Sequence, residues 1–287
     1  MIQPRVVLAR KCHRVIPGLT ASGEGKLRAL LAPRITSLAA ETLATMEFHI
    51  LGIEDPALAA IGVHATGSTD LMVVVTDPTR PIGRLEVQTA APGCVLFLDN
   101  RAAEGNLHGL IRMLGRDAAV LFPALGAGYI GLEVALLRSD SQLLFWGQGA
   151  TAVGCSLELE GSHRIAAIGD DALISSDVWI RNHDMHALVD MRSGKTINRP
   201  PMDIIVERHV WIGQNALVLN CRRIGAGSII GAQSLVKTEI GEFLAVGGVP
   251  ARMLRTEVSW GRDAAGISQP EMDSLGSLPL HHDDMTS

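Results

Sequence analysis

Residues 206–241 read VERHVWIGQNALVLNCRRIGAGSIIGAQSLVKTEIG, and an aliphatic side chain recurs in them at every sixth position. The recurring residues are Val206, Ile212, Val218, Ile224, Ile230 and Val236. A period of six matches neither the period of an α-helix nor the simple alternation of a strand. It is typical of repeat architectures in which short strands are wound into a coil. The sequence therefore predicts a mainly β fold, a parallel β-helix.

The same repeat extends in a looser form towards the N-terminus. Leu98, Phe122, Trp146 and Ile168 occupy equivalent slots of this looser repeat. Three six-residue repeats make one turn of the coil, and each interval between these slots is slightly longer than that. The intervals therefore correspond to one turn with a few extra residues at a corner. We predict the β-helix over residues 89–255.

The two ends of the chain lack this period. Residues 1–88 predict a small mixed α/β cap domain, with a helix over 25–46 and a strand over 71–76, where the chain reads LMVVVT. Residues 256–287 lose all periodicity and predict a disordered tail.

Composition indicates an ordinary soluble protein. The chain has 287 residues, a formal net charge of −5 and 47% hydrophobic residues, so it has no general attraction to nucleic acid or to an anionic membrane. The start, MIQPRVVLARKCHR, lacks the pattern of a signal peptide, and no stretch approaches the roughly 20 apolar residues of a membrane span. The four cysteines form no C-x-x-C pair, which is typical of free thiols in a reducing compartment. We expect a cytoplasmic protein with no nucleic-acid partner and no membrane span.

The repeat is interrupted once. The period is strict at Ile168, Ile174 and Ile180 and then resumes only at Val206, far beyond the next position that was due. The surplus residues are therefore an insertion, which we assign to a loop over residues 181–203. Long loops inside compact domains are uncommon and often functional.

The segment quoted above, its continuation AVGGVPARML and the inserted IRNHDMHALVD resemble the hexapeptide-repeat acyltransferases, which are left-handed parallel β-helix proteins. Within them, the insertion is similar to the loop of polysaccharide and sugar O-acetyltransferases. The resemblance is strong over residues 165–255, loose over 93–164 and absent over 1–85. It implies the left hand of the coil, acetyl-CoA as donor and a homotrimer. It also implies active sites between subunits, where a loop histidine acts as the base.

Acetyl transfer to a hydroxyl requires a base, and histidine suits this role because its unperturbed pKa lies near 6.5. The resemblance places the catalytic histidine at His186, in the run Asp-Met-His-Ala-Leu. Asp184 and Asp190 are candidates for holding its ring in one tautomer. Trp211 directly precedes a period residue and so points outward, and the resemblance places it beside the base, where it shapes the acceptor or acetyl site. A trimer contact without a ligand is the alternative interpretation of this tryptophan.

Candidate cofactor-binding residues lie along the last coils. Arg252 supplies a positive charge for a CoA phosphate, and Gly213, Gly231 and Ala232 mark places where the backbone comes close to a ligand. Each of these three is equally explained by a corner or by packing. The family ends its coil with Gly-Asn-Pro-Ala-Lys, whereas Val249 replaces the asparagine here.

Three alternatives remain open at this stage. An amino-sugar N-acetyltransferase would use the same scaffold, donor and base. A zinc-dependent carbonic-anhydrase-like protein would use His183, His186 and His209 as ligands. A prism used only for assembly would have no catalysis. The preferred hypothesis is an acetyl-CoA-dependent O-acetyltransferase acting on a saccharide hydroxyl in surface polysaccharide or glycan synthesis, with no metal.

Overall fold

The computed structural model describes residues 49–275, and most of this part of the chain is wound into a parallel β-helix. Strands β1 to β11 alternate between two sheets, and from β12 onward two consecutive strands of each turn belong to the second sheet. The first sheet contains β1 (His49–Leu51), β3 (Met72–Val75), β5 (Val95–Leu98), β7 (Ala119–Phe122), β9 (Leu143–Trp146), β11 (Ile165–Ile168), β14 (Ile204–Val206) and β17 (Arg223–Ile224). The described helices are α1 (Pro56–Ala60) and α2 (Gln269–Leu275).

The second sheet is the larger of the two. It contains β2 (Val63–Gly67), β4 (Gly83–Thr89), β6 (Leu107–Met113), β8 (Ile130–Leu136), β10 (Thr151–Leu159), β12 (Leu173–Ile174), β13 (Val178–Arg181), β15 (Trp211–Ile212), β16 (Leu217–Leu219), β18 (Ile229–Ile230), β19 (Leu235–Val236), β20 (Leu244–Gly247) and β21 (Arg252–Thr256).

The register confirms the parallel β-helix that the six-residue period predicts. Val206 pairs in parallel with Ile224, Ile212 with Ile230, and Val218 with Val236. Pairing also continues across the insertion, because Ile168 lies against Val206 as though the intervening loop were absent. Aliphatic side chains of successive coils therefore stack in an unbroken interior.

The coils change shape along the chain. In the N-terminal coils the strands β4, β6 and β8 are long, and the pairing of Val87 with Ile111 spans more than three six-residue repeats. From β12 onward the second sheet divides into two faces with much shorter strands. Each turn of the β-helix then contains three six-residue repeats, as the pairing of Ile205 with Arg223 shows.

The N-terminal boundary of the β-helix differs from the predicted one. Val63 already pairs in parallel with Leu85, and Val73 with Leu96, so the coil begins well before residue 89. Residues 63–88 therefore belong to the β-helix and not to a separate cap, and the predicted strand at 71–76 is present as β3. Before them, β1 pairs antiparallel with β3, and α1 precedes the first parallel strand. The six-residue period fails to reveal these coils because their longer strands and corners change the residue count per turn. The predicted helix at 25–46 lies outside the described residues.

The C-terminal prediction also needs correction. β20 and β21 form an antiparallel hairpin, and residues 257–275 then pack back against the side of the coil and end in α2. The disordered tail predicted from residue 256 is therefore wrong as far as residue 275. Residues 276–287 lie outside the described part.

The middle of the first sheet is buried on both sides. Every residue of β5, β7, β9 and β11 is buried. Leu96 and Leu98 belong to the interior cluster, whereas Phe97 lies on the opposite side of its strand and is still only 1% exposed. The outer face that remains accessible is that of the second sheet. Within residues 49–275, no helix is long and apolar enough to cross a membrane.

Candidate active site

The inserted loop leaves the coil after β13 and returns at β14, and polar side chains fix both of its ends. Asn182 donates from Nδ2 to the carbonyl oxygens of Glu160 (2.9 Å) and Met202 (2.7 Å). Its Oδ1 accepts from the amide of Glu160. Asp203, at the other end, accepts from the amide of Ile165 at 3.1 Å. The loop base is thus tied to the preceding coil.

A second set of bonds holds the middle of the loop. Asn198 donates to Asp184 Oδ2 at 2.8 Å and to the carbonyl of His186 at 3.1 Å, and it accepts from the amide of Leu188 at 2.6 Å. Asn220 on the next coil donates to Asp184 Oδ1 at 3.1 Å. These contacts position the backbone on both sides of His186.

The ring of His186 itself is exposed. Among the residues that the structure describes, it has no hydrogen-bond or ion-pair partner. The carboxylate of Asp184 is occupied by two asparagine amides and not by this ring. Asp190 accepts from the amides of Ser193 and Arg192, and these backbone hydrogen bonds lower its pKa. Within a single chain, neither predicted carboxylate orients His186.

His183 behaves differently from its neighbour and is buried, with 3% of its surface exposed. Its Nδ1 accepts from the amide of Met185 at 3.2 Å, and Met185 has the left-handed φ of 65°. Its Nε2 lies 3.5 Å from Glu158 Oε2. His183 therefore fixes the turn that leads to His186, a role that the sequence did not indicate.

Trp211 points outward from β15, as its position before the buried Ile212 predicts, and is 36% exposed. Its Nε1 donates to Ser175 Oγ at 3.3 Å. Its ring lies 6.1 Å from that of Trp260, tilted by 51°. Trp260 belongs to the segment that was expected to be disordered, so sequence reasoning missed this neighbour. An aromatic residue in a tail was the available signal, because disordered segments have few of them.

His209 is completely buried at a corner of the coil and is bonded at both ring nitrogens. Nδ1 lies 2.6 Å from Asp171 Oδ2, and Nε2 lies 2.7 Å from the carbonyl oxygen of Trp260. The rings of His209 and Trp260 stack with their centroids 4.3 Å apart. In addition, Trp260 Nε1 donates to the carbonyl oxygen of His209 at 2.9 Å. Both ring nitrogens of His209 therefore lie against oxygen atoms.

Arg262 completes this corner. Its Nε donates to Asp171 Oδ1 at 2.6 Å, and its other nitrogens reach Thr151 Oγ1 and the carbonyl of Gly149. Burial raises the pKa of Asp171, but the hydrogen bonds from His209 and Arg262 outweigh burial and leave that pKa below its usual value. The C-terminal segment is therefore held to the coil by a network of charge-assisted bonds.

The structure does not gather the three histidines that a zinc site would need. Among the described residues, the group with metal-ligating atoms within 4.8 Å of one another consists of Asp171, His209 and Glu271. His209 already uses both nitrogens, and Asp171 is bonded to Arg262. His183 and His186 are not part of this group. Within a single chain, the structure therefore does not bring His183, His186 and His209 together as one ligand set.

The predicted cofactor residues lie on the last coils. The amides of Gly213 and Gly231 donate to the carbonyls of Ile230 and Val246 and so are not available to a ligand. A Cβ on Gly213 would lie 2.7 Å from the nitrogen of Ala232, so close stacking of coils requires glycine there. Ala232 and Arg252 are exposed.

The chain is similar to known O-acetyltransferases. It is 33% identical over 112 residues to a polysialic acid O-acetyltransferase of Escherichia coli O1:K1 / APEC, which covers 39% of this chain and 36% of the relative. It is 33% identical over 131 residues to a putative lipopolysaccharide biosynthesis O-acetyl transferase of Escherichia coli K12, covering 42% and 65%. The chain thus spans less than two thirds of the length of either relative. No protein-family model matches it.

These relatives confirm the predicted resemblance to hexapeptide-repeat acyltransferases and, within them, to polysaccharide O-acetyltransferases. Two solved structures of polysialic acid acetyltransferases are also similar to this chain. One has a TM-score of 0.49 at 20% identity and covers 76% of this chain and 95% of the other. The second has a TM-score of 0.48 at 23% identity and covers 70% of this chain and 82% of the other.

Proposed function

We propose that this chain is an acetyl-CoA-dependent O-acetyltransferase that acts on a saccharide hydroxyl, with His186 as general base. The names of the relatives support acetyl transfer to polysaccharide. The observation that carries the proposal is the inserted loop. It presents an exposed, unpartnered imidazole among the described residues, on a backbone that Asn198 holds from both sides.

The chemistry follows from that imidazole. His186 takes the proton of the acceptor hydroxyl as the hydroxyl oxygen attacks the carbonyl carbon of the thioester. The carbon–sulfur bond breaks, and the proton passes from His186 to the leaving sulfur, which gives an acetyl ester, the free thiol of CoA and a neutral histidine. General base catalysis of this kind contributes typically about 10²–10⁴ in rate.

The remaining residues have supporting roles in the proposal. Trp211 offers a partly exposed indole to the acceptor or acetyl group, and Arg252 offers a charge to a phosphate of CoA. Ala232 is an exposed position on the same last coils. Asp184 positions the loop through its two asparagine contacts and does not orient the ring of the base.

The proposed enzyme is a homotrimer in which the loop of one subunit lies against the next. The loop supports this because it exposes large apolar side chains, and such patches mark interaction surfaces. These side chains are Met185, Leu188, Val189, Met191 and Ile197, which are between 46% and 90% exposed. Cys155 and Cys221 are buried free thiols, which is compatible with the expected cytoplasmic location.

The direct test is the release of thiol from acetyl-CoA in the presence of purified full-length protein. The acceptors should include neutral and acidic polysaccharides, their oligosaccharides, nucleotide sugars and amino sugars. We expect release with a hydroxyl acceptor and an alkali-labile acetyl ester in the product. Release only with amino sugars, giving an alkali-stable amide, would favour the N-acetyltransferase. No release with any acceptor would leave the assembly alternative.

A further inference from the structure

A groove of about 370 Å³ lies on the outer face of the N-terminal coils, away from the inserted loop. Its floor contains Leu110 and Leu132, and its rim contains Arg84, Glu86, His108 and Glu133. The middle of the first sheet is buried on both sides, so this groove occupies the face of these coils that solvent can reach. None of these residues has a role in the proposed chemistry.

An aromatic pair borders the groove. The rings of His108 and Tyr129 stack with centroids 5.5 Å apart and planes 25° from parallel. Tyr129 lies over Gly131, where a Cβ would come within 2.9 Å of the tyrosine ring, so glycine makes room for it. The tyrosine is nevertheless 47% exposed. A supported aromatic ring with one free side offers an apolar surface and a polar edge, which suits the CH-rich face and hydroxyl rim of a sugar.

Paired charges line the groove and its neighbouring coil. Arg84 lies 3.3 Å from Glu86, and Arg112 lies 2.5 Å from Glu133. The two positive and two negative side chains balance, so the groove creates no net attraction for a polyanion. Exposed carboxylate and guanidinium groups can instead accept from and donate to the hydroxyls of a neutral ligand.

Outward positions of successive strands of the second sheet form a row that leads from the groove towards the inserted loop. Glu86 pairs with Leu110, Leu110 with Glu133, Glu133 with Ser156, and Ser156 with Trp179. Four such steps span about 19 Å at roughly 4.8 Å per strand. Trp179 is 44% exposed and stands two residues before the end of β13, where the loop begins. An occupant that covers this distance is extended and longer than a single sugar.

We propose that this face, from Arg84 and Tyr129 to Trp179, binds a neutral saccharide chain of several sugars and leads it to the loop that carries His186. We name it the outer strip. The strip binds the acceptor polymer, and the loop modifies one unit of it. The second statement rests on the proposed function, whereas binding by the strip can be measured without any catalysis.

The binding test uses an array of bacterial polysaccharide fragments, neutral and acidic, in graded lengths and without acetyl-CoA. We expect neutral fragments of several sugars to bind and single sugars not to bind. Tyr129→Ala should weaken binding by about twofold to twelvefold, since an aromatic contact contributes about 0.5–1.5 kcal/mol. Tyr129→Phe keeps the ring and should bind like the wild type. Met253→Ala is the surface control, because Met253 on β21 is exposed and lies outside the outer strip.

The kinetic test separates the strip from the catalytic loop. With a long acceptor, Tyr129→Ala and Glu133→Ala should raise KM about fivefold while kcat and the KM for acetyl-CoA stay unchanged. With a short acceptor, both variants should match the wild type. A variant that merely unfolded would lose activity with both acceptors, and circular dichroism checks this directly.

Two results would overturn the proposal. One is equal binding of neutral fragments by wild type and Tyr129→Ala, which would locate the glycan elsewhere. The other is tighter binding of acidic fragments that weakens steeply with salt, which would show a polyanion site in place of a neutral one. If the array detects binding but no acceptor yields thiol release, the strip stands and the proposed catalysis fails.

Discussion

Two corners of the same β-helix carry a histidine, and their surroundings differ in every respect. His186 lies on the inserted loop, is exposed, and its ring has no partner among the residues that the structure describes. His209 lies at a corner between two strands, has no exposed surface, and is bonded at Nδ1 to Asp171 and at Nε2 to the carbonyl of Trp260. The first corner is built around a free ring, the second around a fully bonded one.

The difference decides which of the two histidines could act as the proposed base. A base must have a nitrogen lone pair that the substrate can reach. At His209 both nitrogens are occupied and covered by the C-terminal segment, so this ring holds two parts of the chain together. At His186 the hydrogen bonds go to the backbone around the residue, which leaves the ring free while fixing where it stands.

The largest expected effect is the loss of activity in His186→Ala. We expect the rate of acetyl transfer to fall by about 10²–10⁴, because the hydroxyl proton then has no acceptor. Acetyl-CoA binding and the free energy of unfolding should stay within about 0.5 kcal/mol of the wild type, since the ring is exposed. The measurements are thiol release, calorimetric binding and urea unfolding, with the exposed His64→Ala as control. Full turnover by His186→Ala would remove this residue from the role of base.

For His209→Ala, the expected effect is on the stability of the fold. The substitution leaves the carbonyl of Trp260 without a donor and Asp171 with Arg262 as its remaining side-chain partner, and we expect a loss of about 2–4 kcal/mol in the free energy of unfolding. His163→Ala is the matched control, because His163 is exposed and has a φ of 59° against 52° for His209. Backbone strain from alanine is therefore similar in both variants. Equal destabilisation of the two would mean that the bonds of His209 contribute little.

The sequence predicts one of these corners far better than the other. The six-residue period locates the coil, and its interruption after Ile180 locates the loop that carries His186. The six-residue period reflects which side chains fill the interior of the coil. It carries no information about side chains that point outward or contact another segment. The contact of His209 with Trp260 and that of Asp171 with Arg262 join positions far apart in the chain, and no local pattern records such a pairing.

The same limit explains the errors at the ends of the coil. The longer turns of the N-terminal coils have no fixed short period, so the coils that pass through Val63 and Val73 were assigned to a separate domain. The segment after residue 256 has no repeat, because it packs on the coil through Trp260 and Arg262 and not as another turn. Asn198 is likewise absent from any motif, although it holds the loop at three points.

A smaller effect is expected when the loop is loosened without removing its histidine. Asn198→Ala deletes the bonds to Asp184, to the carbonyl of His186 and from the amide of Leu188, so we expect kcat to fall by about tenfold. The loss should appear in kcat more than in the KM for acetyl-CoA, which binds elsewhere in the proposal. Asn106→Ala is the control, since Asn106 makes a comparable bond to the carbonyl of Ala127 on a distant corner. An unchanged kcat in Asn198→Ala would indicate that substrate, and not this clamp, orders the loop.

The smallest effect concerns the pH dependence of stability at the His209 corner. Burial raises the pKa of Asp171, but hydrogen bonds from His209 and Arg262 lower it more, so the folded-state pKa lies below the ordinary value of 3.8. The carboxylate therefore stays ionised to a lower pH in the folded protein than in the unfolded chain. Its stabilisation is present above that value and is lost as the pH falls through the lower folded pKa.

Asp171→Asn should therefore destabilise the protein at about pH 6 and do so progressively less as the pH falls below about 4. Urea unfolding of both proteins across this range measures the difference, with the exposed Glu54→Gln as control for the loss of one charge. Because the network contains a histidine that is bonded on both sides, the variant also tests the comparison itself. A constant difference in the free energy of unfolding between wild type and Asp171→Asn over this pH range would mean that the carboxylate is not held by His209 and Arg262. The corner would then owe its stability to the stacked rings of His209 and Trp260.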